Sequence, residues 1–216
     1  MAEKVNPPTL RNVAQLVAHG LVPQEQSAAL EDVAREFATA VPAAFLSLIA
    51  HPDDPIGRQV IPSAAELQTA PWEMQDPIGD DALSPVPGIV HRYQDRALLK
   101  PLLVCPLYCR FCFRREHVGP DGGLLSDEAL AKALLWIAEH PAISEIILTG
   151  GDPLMLSPSA LNTSSTRFPP SRISRPYAFI AACRWPILHA SPQPCSMRLR
   201  RIAPCGSCCM PITPAN

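Results

Sequence analysis

At 216 residues the chain is long enough for one domain with a substantial core, and its formal net charge of −2 argues against both a basic nucleic-acid stripe and an acidic tail. No basic segment followed by an apolar run opens it, and its most apolar early stretch, Phe37 to Ala50, is too short for a bilayer and is interrupted by Pro42. That stretch reads as a buried helix, and the chain as a cytoplasmic protein with no membrane or nucleic-acid partner. In that compartment thiols stay reduced, and clustered cysteines more often mark metal or redox chemistry than disulfides.

Residues 9 to 50 read as helical. Leu10, Val13, Leu16 and Val17 recur at helical spacing, and Ser27 is placed to cap a second helix carrying Leu30, Val33, Phe37 and Val41. From His51 to Gly88 the chain is full of Asp-Pro and Pro-x-Pro steps, which favour turns and extended backbone. A structureless loop of that length is uncommon, so the segment is expected to wrap over another surface in an ordered way. "ALLKPLLVC", residues 97–105, predicts a buried strand, and "SDEALAKALLWIAEHP" a helix capped by Ser126 with Leu130, Leu134 and Ile137 on its inner face. "ISEIILTGGDP" predicts a second strand ending in a glycine turn. Strand, helix, strand is a βαβ unit, so the fold class is α/β with a parallel sheet, and functional groups belong at the carboxyl ends of the strands. Cys105 and Gly150 both fall there.

Cysteine usage is uneven. Of 8 cysteines none precedes Cys105; three stand in "CPLYCRFC" at Cys105, Cys109 and Cys112, and five lie after residue 180. Three thiolates so close in sequence suit one compact inorganic centre. Zinc usually takes two separated Cys/His pairs, and the nearest fourth ligand, His117, makes no such pair. An iron–sulfur cluster suits thiolates better, and with three cysteines one iron of a four-iron cluster keeps an open site. A zinc site, a redox-sensing site and chance clustering of buried cysteines are the competing readings, so a non-catalytic metal-binding module is the alternative in another functional class.

C-x3-C-x2-C with an aromatic before the last cysteine resembles the radical S-adenosylmethionine superfamily. "SPVPGIVHRYQDRALLKPLLVCPLYCRFCFRREHVG" and "EIILTGGDPLMLS" are similar to the lysine 2,3-aminomutase family, including its relatives that supply β-lysine for modifying an elongation factor. The likeness covers roughly residues 50–161. It implies a partial (β/α) barrel after N-terminal helices, with residues 1–90 helical and extended, 91–161 the partial barrel with its cluster loop, and 162–216 a tail. It implies that Cys105, Cys109 and Cys112 hold a [4Fe-4S] cluster whose open iron binds S-adenosylmethionine. An electron donor reduces the cluster, and a 5'-deoxyadenosyl radical starts migration of an amino group from C2 to C3 of a lysine-like amino acid carried by pyridoxal 5'-phosphate. Residue by residue, Gly150, Gly151 and Asp152 match the turn that contacts the amino group of S-adenosylmethionine. Arg114 matches the residue gripping the substrate carboxylate, Arg92 and Arg96 match positions near pyridoxal phosphate and its phosphate group, and Tyr93 is placed to pack on that ring. Without the likeness, these arginines would read as surface charge or as partners of Asp95 and Glu116. Nothing in the sequence signals an oligomeric state.

After Leu161 the character changes. Residues 162–216 contain seven Arg and nine Pro and no Asp, Glu or Lys. Back-translation with one shifted frame yields segments such as "VRIH" and "HANHARE" that resemble the family's continuation. The tail is therefore expected to be an out-of-frame, poorly packed or disordered segment whose cysteines, "CGSCC" among them, have no evolved role. The pyridoxal lysine is not found, and the chain is expected to be a truncated, inactive aminomutase.

Overall fold

The computed structural model describes residues 9–157 and the backbone of Ala178–Phe179. The tail expected to be out of frame lies, those two residues apart, outside the described residues.

Two short helices open the fold. α1 (Val13–Ala18) is capped by Asn12, whose side chain accepts from the Gln15 N–H at 2.9 Å, and α2 spans Ser27–Glu36. Val13, Leu16, Leu30 and Val33 are buried where the helical spacing placed them. Three expectations fail at the edges. Ser27 is not the cap: its hydroxyl donates backward to the Gln24 carbonyl at 2.8 Å, and the cap position belongs to Gln26 behind a 3-10 turn. Phe37 and Val41 are not helical, because backbone turns extended at Phe37 and Val41 then pairs with Leu10, N–H to carbonyl at 2.9 and 2.8 Å in the two directions. Leu10 is accordingly a bridge residue. Phe37 to Ala50 is not one buried helix either; only α3 (Ala43–Leu46) forms there. The cause is Pro42, which disfavours helical backbone at Val41 and can stand only at a helix start.

The proline-rich segment is ordered, as expected of a wrap. It contains α4 (Gly57–Val60) and 3-10 turns at Ala64–Leu67 and Asp81–Leu83. Asp54 organises its first turn by accepting from the N–H groups of Ala50, His51, Ile56 and Gly57. Those bonds, led by that from Gly57, hold its carboxyl below the usual aspartate value. Val60 and Ile61 enter the N-terminal core beside Leu10, Val13 and Val33.

Four strands form one sheet in the order β1 (Ile89–Tyr93), β2 (Arg96–Leu102), β3 (Glu145–Gly150), β4 (Ala178–Phe179). β2, α5 (Asp127–Glu139) and β3 make the expected parallel βαβ unit, with Arg96 opposite Glu145 and Leu99 opposite Leu148. Ser126 caps α5, accepting from Ala129 at 3.2 Å. Its buried face is Ala133, Leu134 and Ile137, with Leu130 partly buried against the same core. β1 goes beyond the sequence reading: it pairs antiparallel with β2, so the sheet is not wholly parallel. Ala97, Leu99, Ile146 and Leu148 alternate onto the face covered by α5 and form the second core with Ile89. Arg96, Leu98 and Lys100 project from the other face of β2 and are only half-buried.

Candidate metal centre and the adjoining cavity

The cysteine loop starts where β2 ends. Two of the three residues between the first and second cysteines act as anchors. Leu107 is buried in the N-terminal helical core, and Tyr108 packs with Ala40 and Val118. Burial drives the Tyr108 phenol above its ordinary pKa. The backbone is tied down as well: Tyr108 N–H donates to the Ala40 carbonyl at 3.2 Å and Arg110 N–H to the Gln59 carbonyl at 2.7 Å. The loop is thus clamped between the helical layer and the sheet.

Cys105, Cys109 and Cys112 form no disulfide, are all half-buried, and all three line a cavity of about 30 Å³ with Phe37, Tyr108 and Arg115. Cys109 is hydrogen-bonded to Cys112. That bond, followed by burial, pushes the Cys109 thiol far up; Cys112 is lowered to about 6, first by Cys109 and then by the Arg114 backbone and the charges of Arg114 and Arg115, against the opposing cost of burial. Cys112, its thiol pKa lowered beside Arg114 and Arg115, together with Cys105 and Cys109 is a donor set suited to iron. Among the described residues no three His, Cys, Asp or Glu side chains converge on a single ion position. A mononuclear site is therefore not preformed. A cluster differs in that each thiolate bonds a separate iron, so convergence on one atom is not required. His117, the nearest fourth ligand in sequence, lies instead 3.9 Å from Asp81 and lines a different cavity.

Two carboxylates from the proline-rich segment organise the arginines of this loop, and neither was singled out from the sequence. Glu66 takes Arg110 with two bonds, Nε to Oε1 at 3.0 Å and Nη2 to Oε2 at 2.6 Å, and Arg115 lies 3.4 Å from the same carboxylate. Arg110 also donates to the Ala38 carbonyl at 2.9 Å. Asp80 is buried and receives Nε and Nη2 of Arg114, each at 2.9 Å, while Arg114 Nη1 reaches Thr149 Oγ1 at 3.4 Å. The available signal was weak: acids placed between prolines, dozens of residues from the arginines they meet.

Gly150 and Gly151 lie at the carboxyl end of β3 directly against the strand that leads into Cys105. Gly150 has φ +104, and a Cβ there would lie 2.5 Å from the Leu102 carbonyl oxygen; one on Gly151 would lie 2.3 Å from that of Val104. These glycines let two backbones touch, with Gly151 N–H donating to Leu102 at 2.8 Å and Asp152 N–H to Val104 at 3.0 Å. Asp152 is buried, and its Oδ1 accepts from the Leu154 N–H at 3.0 Å.

Arg92, Tyr93 and Arg96 are not brought to the cysteines. Tyr93 and Arg96 sit at the β1–β2 turn, about 20 Å down a seven-residue strand from the loop, whereas Arg92 reaches toward the Asp80 carboxylate that holds Arg114. Arg92 donates to the Ile78 carbonyl and lies 3.7 Å from Asp80; Arg96 pairs with Asp95 at 3.2 Å and Glu145 at 3.5 Å; Tyr93 is exposed. Both arginines already face carboxylates, and none of the three lines either cavity described here. The described residues therefore fit pyridoxal phosphate incompletely, and no step is assigned to it.

Residues 99–167, which run from β2 through the cysteine loop and β3, match the family model described as the Radical SAM superfamily. That segment of the chain is thus similar to the radical SAM superfamily. The chain is also a relative of the lysine 2,3-aminomutase family. It is 34% identical to the L-lysine 2,3-aminomutase of Clostridium subterminale over 154 residues, covering 70% of this chain and 37% of that protein. It is 41% identical to that of Methanococcus maripaludis over 109 residues, 50% of this chain and 25% of the relative. The glutamate 2,3-aminomutase of Clostridioides difficile is 33% identical over 129 residues, 59% of this chain and 30% of the relative. The chain spans about a third of the length of these curated relatives. Among the described residues no helix is long and apolar enough to cross a membrane.

Proposed function

We propose that the chain is the cluster-bearing part of a radical S-adenosylmethionine aminomutase with a partial (β/α) barrel, acting on a lysine-like amino acid. The observation that carries this reading is the set of three half-buried cysteines, none in a disulfide, on one clamped loop at the carboxyl end of β2. Cys105, Cys109 and Cys112 would hold a [4Fe-4S] cluster, which, once reduced by an electron donor, would supply the one electron that cleaves S-adenosylmethionine to methionine and a 5'-deoxyadenosyl radical. Arg115, with Arg114, offsets the thiolate charge, and Glu66 fixes where Arg110 and Arg115 stand. Gly150 and Gly151 keep β3 close enough for Asp152 to receive the ammonium of S-adenosylmethionine. Arg114 presents its remaining donors to the substrate carboxylate, and Asp80 orients the guanidinium. The out-of-frame origin of residues 162–216 belongs to the same proposal; sequencing the locus tests it, and an intact frame overturns it.

The cluster is tested by anaerobic reconstitution with iron and sulfide, read by absorption, iron content and electron paramagnetic resonance. The expected result is a four-iron signal perturbed by S-adenosylmethionine, with iron content lost in each of C105A, C109A and C112A. Tight zinc binding with no iron cluster, or iron retained by all three variants, overturns it.

A further inference from the structure

A second cavity, of about 330 Å³, lies at the carboxyl end of β2, and its volume is that of a small-ligand site. Its charged lining is Asp76, Asp80, Asp81, Lys100, Arg114 and His117. The acids are all engaged. Asp76 accepts from the N–H groups of Asp80 and Asp81 at 2.9 and 2.8 Å, Asp80 holds Arg114, and Asp81 faces His117. Lys100 differs. Among the described residues its ammonium has neither an ion pair nor a hydrogen bond. It is half-buried on the β2 face not covered by α5, and its stem rests on Gly150: a Cβ on that glycine would lie 3.1 Å from Lys100 Cβ. A long cationic side chain buries its methylenes and seeks an anion for its head. Here the neighbouring carboxylates are committed to other partners, which leaves the ammonium available to an anion brought by a ligand.

We propose that Lys100 is a carboxylate-binding residue of this cavity, taking the carboxylate of an amino-acid ligand beside Arg114. The inference rests on the proposed function for the two ligands it names, the amino-acid substrate and the methionine portion of S-adenosylmethionine. Lys100 is a binding and specificity residue, distinct from the three cluster cysteines.

The test is calorimetric titration of the full, anaerobically reconstituted chain, as wild type, K100M and K100R, with two ligand pairs: L-lysine against cadaverine, and S-adenosylmethionine against its decarboxylated form. Losing one charge-assisted hydrogen bond weakens binding by about 10- to 100-fold. K100M should show that loss for a carboxylated ligand and none for its decarboxylated counterpart, and K100R should restore most of it. Loss confined to the lysine pair assigns the substrate carboxylate; loss confined to the S-adenosylmethionine pair assigns the methionine carboxylate. Unchanged K100M affinity for both carboxylated ligands, equal loss for the decarboxylated ones, or no binding of either carboxylated ligand by the wild type overturns the proposal. Iron content read on the same samples separates the two readings. A chain without a cluster that binds L-lysine through Lys100 removes the cluster reading alone, whereas a fully loaded chain indifferent to K100M removes this one alone.

Discussion

Replacing Gly151 with alanine puts a methyl carbon 2.3 Å from the carbonyl oxygen of Val104, 2.6 Å from its nitrogen and 2.7 Å from its carbonyl carbon. All three are backbone atoms, so no side chain can swing aside. Reaching even the tightest tolerated contact of 3.0 Å requires a shift of about 0.7 Å, and Val104 is the residue before Cys105. Two Gly151-dependent backbone bonds join the same segment, Gly151 to Leu102 and Asp152 to Val104. We therefore expect G151A to cost about 2–3 kcal/mol, at the upper end of overpacking, and to lower Tm by about 4–12 °C for a chain of this size. Because the strain falls on the approach to the cluster loop, reconstituted iron should fall further than the loss of folded protein alone explains. Differential scanning fluorimetry and iron content per folded chain read the two effects. A Tm within about 1 °C of wild type together with full iron content would refute the argument that the glycine exists for backbone contact at this loop.

The remaining predictions follow the buried charges. D80A leaves the Arg114 guanidinium buried without its carboxylate and is expected to destabilise the fold by about 3–5 kcal/mol, measured by urea unfolding; near-wild-type stability would contradict the assigned pair. E66A releases Arg110 and Arg115 and removes the bond to the Ser63 N–H, so alkylation of Cys112, the cysteine with the lowered pKa, should speed up in the cluster-free protein, read by mass spectrometry; an unchanged rate would show that Glu66 does not hold the loop. Asp54 titrates below its ordinary value because the folded state gives its carboxylate backbone bonds. Its stabilising contribution is therefore complete above the ordinary aspartate range and is lost as pH falls through the lowered value. D54N should show a smaller drop in urea midpoint than wild type between about pH 5 and pH 3. An identical acid profile would remove Asp54 from the account.

Local chemistry was legible wherever it depended on neighbours in sequence. The C-x3-C-x2-C spacing, the Ser126 cap with Asp127 and Glu128 behind it, and the apolar runs of β2 and β3 each state their structure within a few residues, and the βαβ unit follows from their order. The boundaries of the early helices were less legible, because Val41 has the period of a helix but is held extended by Pro42 and by its bridge to Leu10. β1 was overlooked for a related reason: Ile89–Tyr93 is short, follows a run of turn residues, and becomes a strand by pairing with β2.

Tertiary structure alone decided what surrounds the cysteines. Ion pairing over 34 and 44 residues, Asp80 to Arg114 and Glu66 to Arg110, has no sequence period, since it depends on where a proline-rich wrap crosses the cluster loop. The same is true of Lys100. In sequence it is one charge inside an apolar strand; in the fold it is the half-buried cation in a cavity where each neighbouring carboxylate is already engaged. Sequence by itself determined the thiols, their spacing and the strand that delivers them, because a strand and the loop after it are local objects. Which charges are satisfied and which await a ligand was decided only by folding, because neutralisation depends on distance in space.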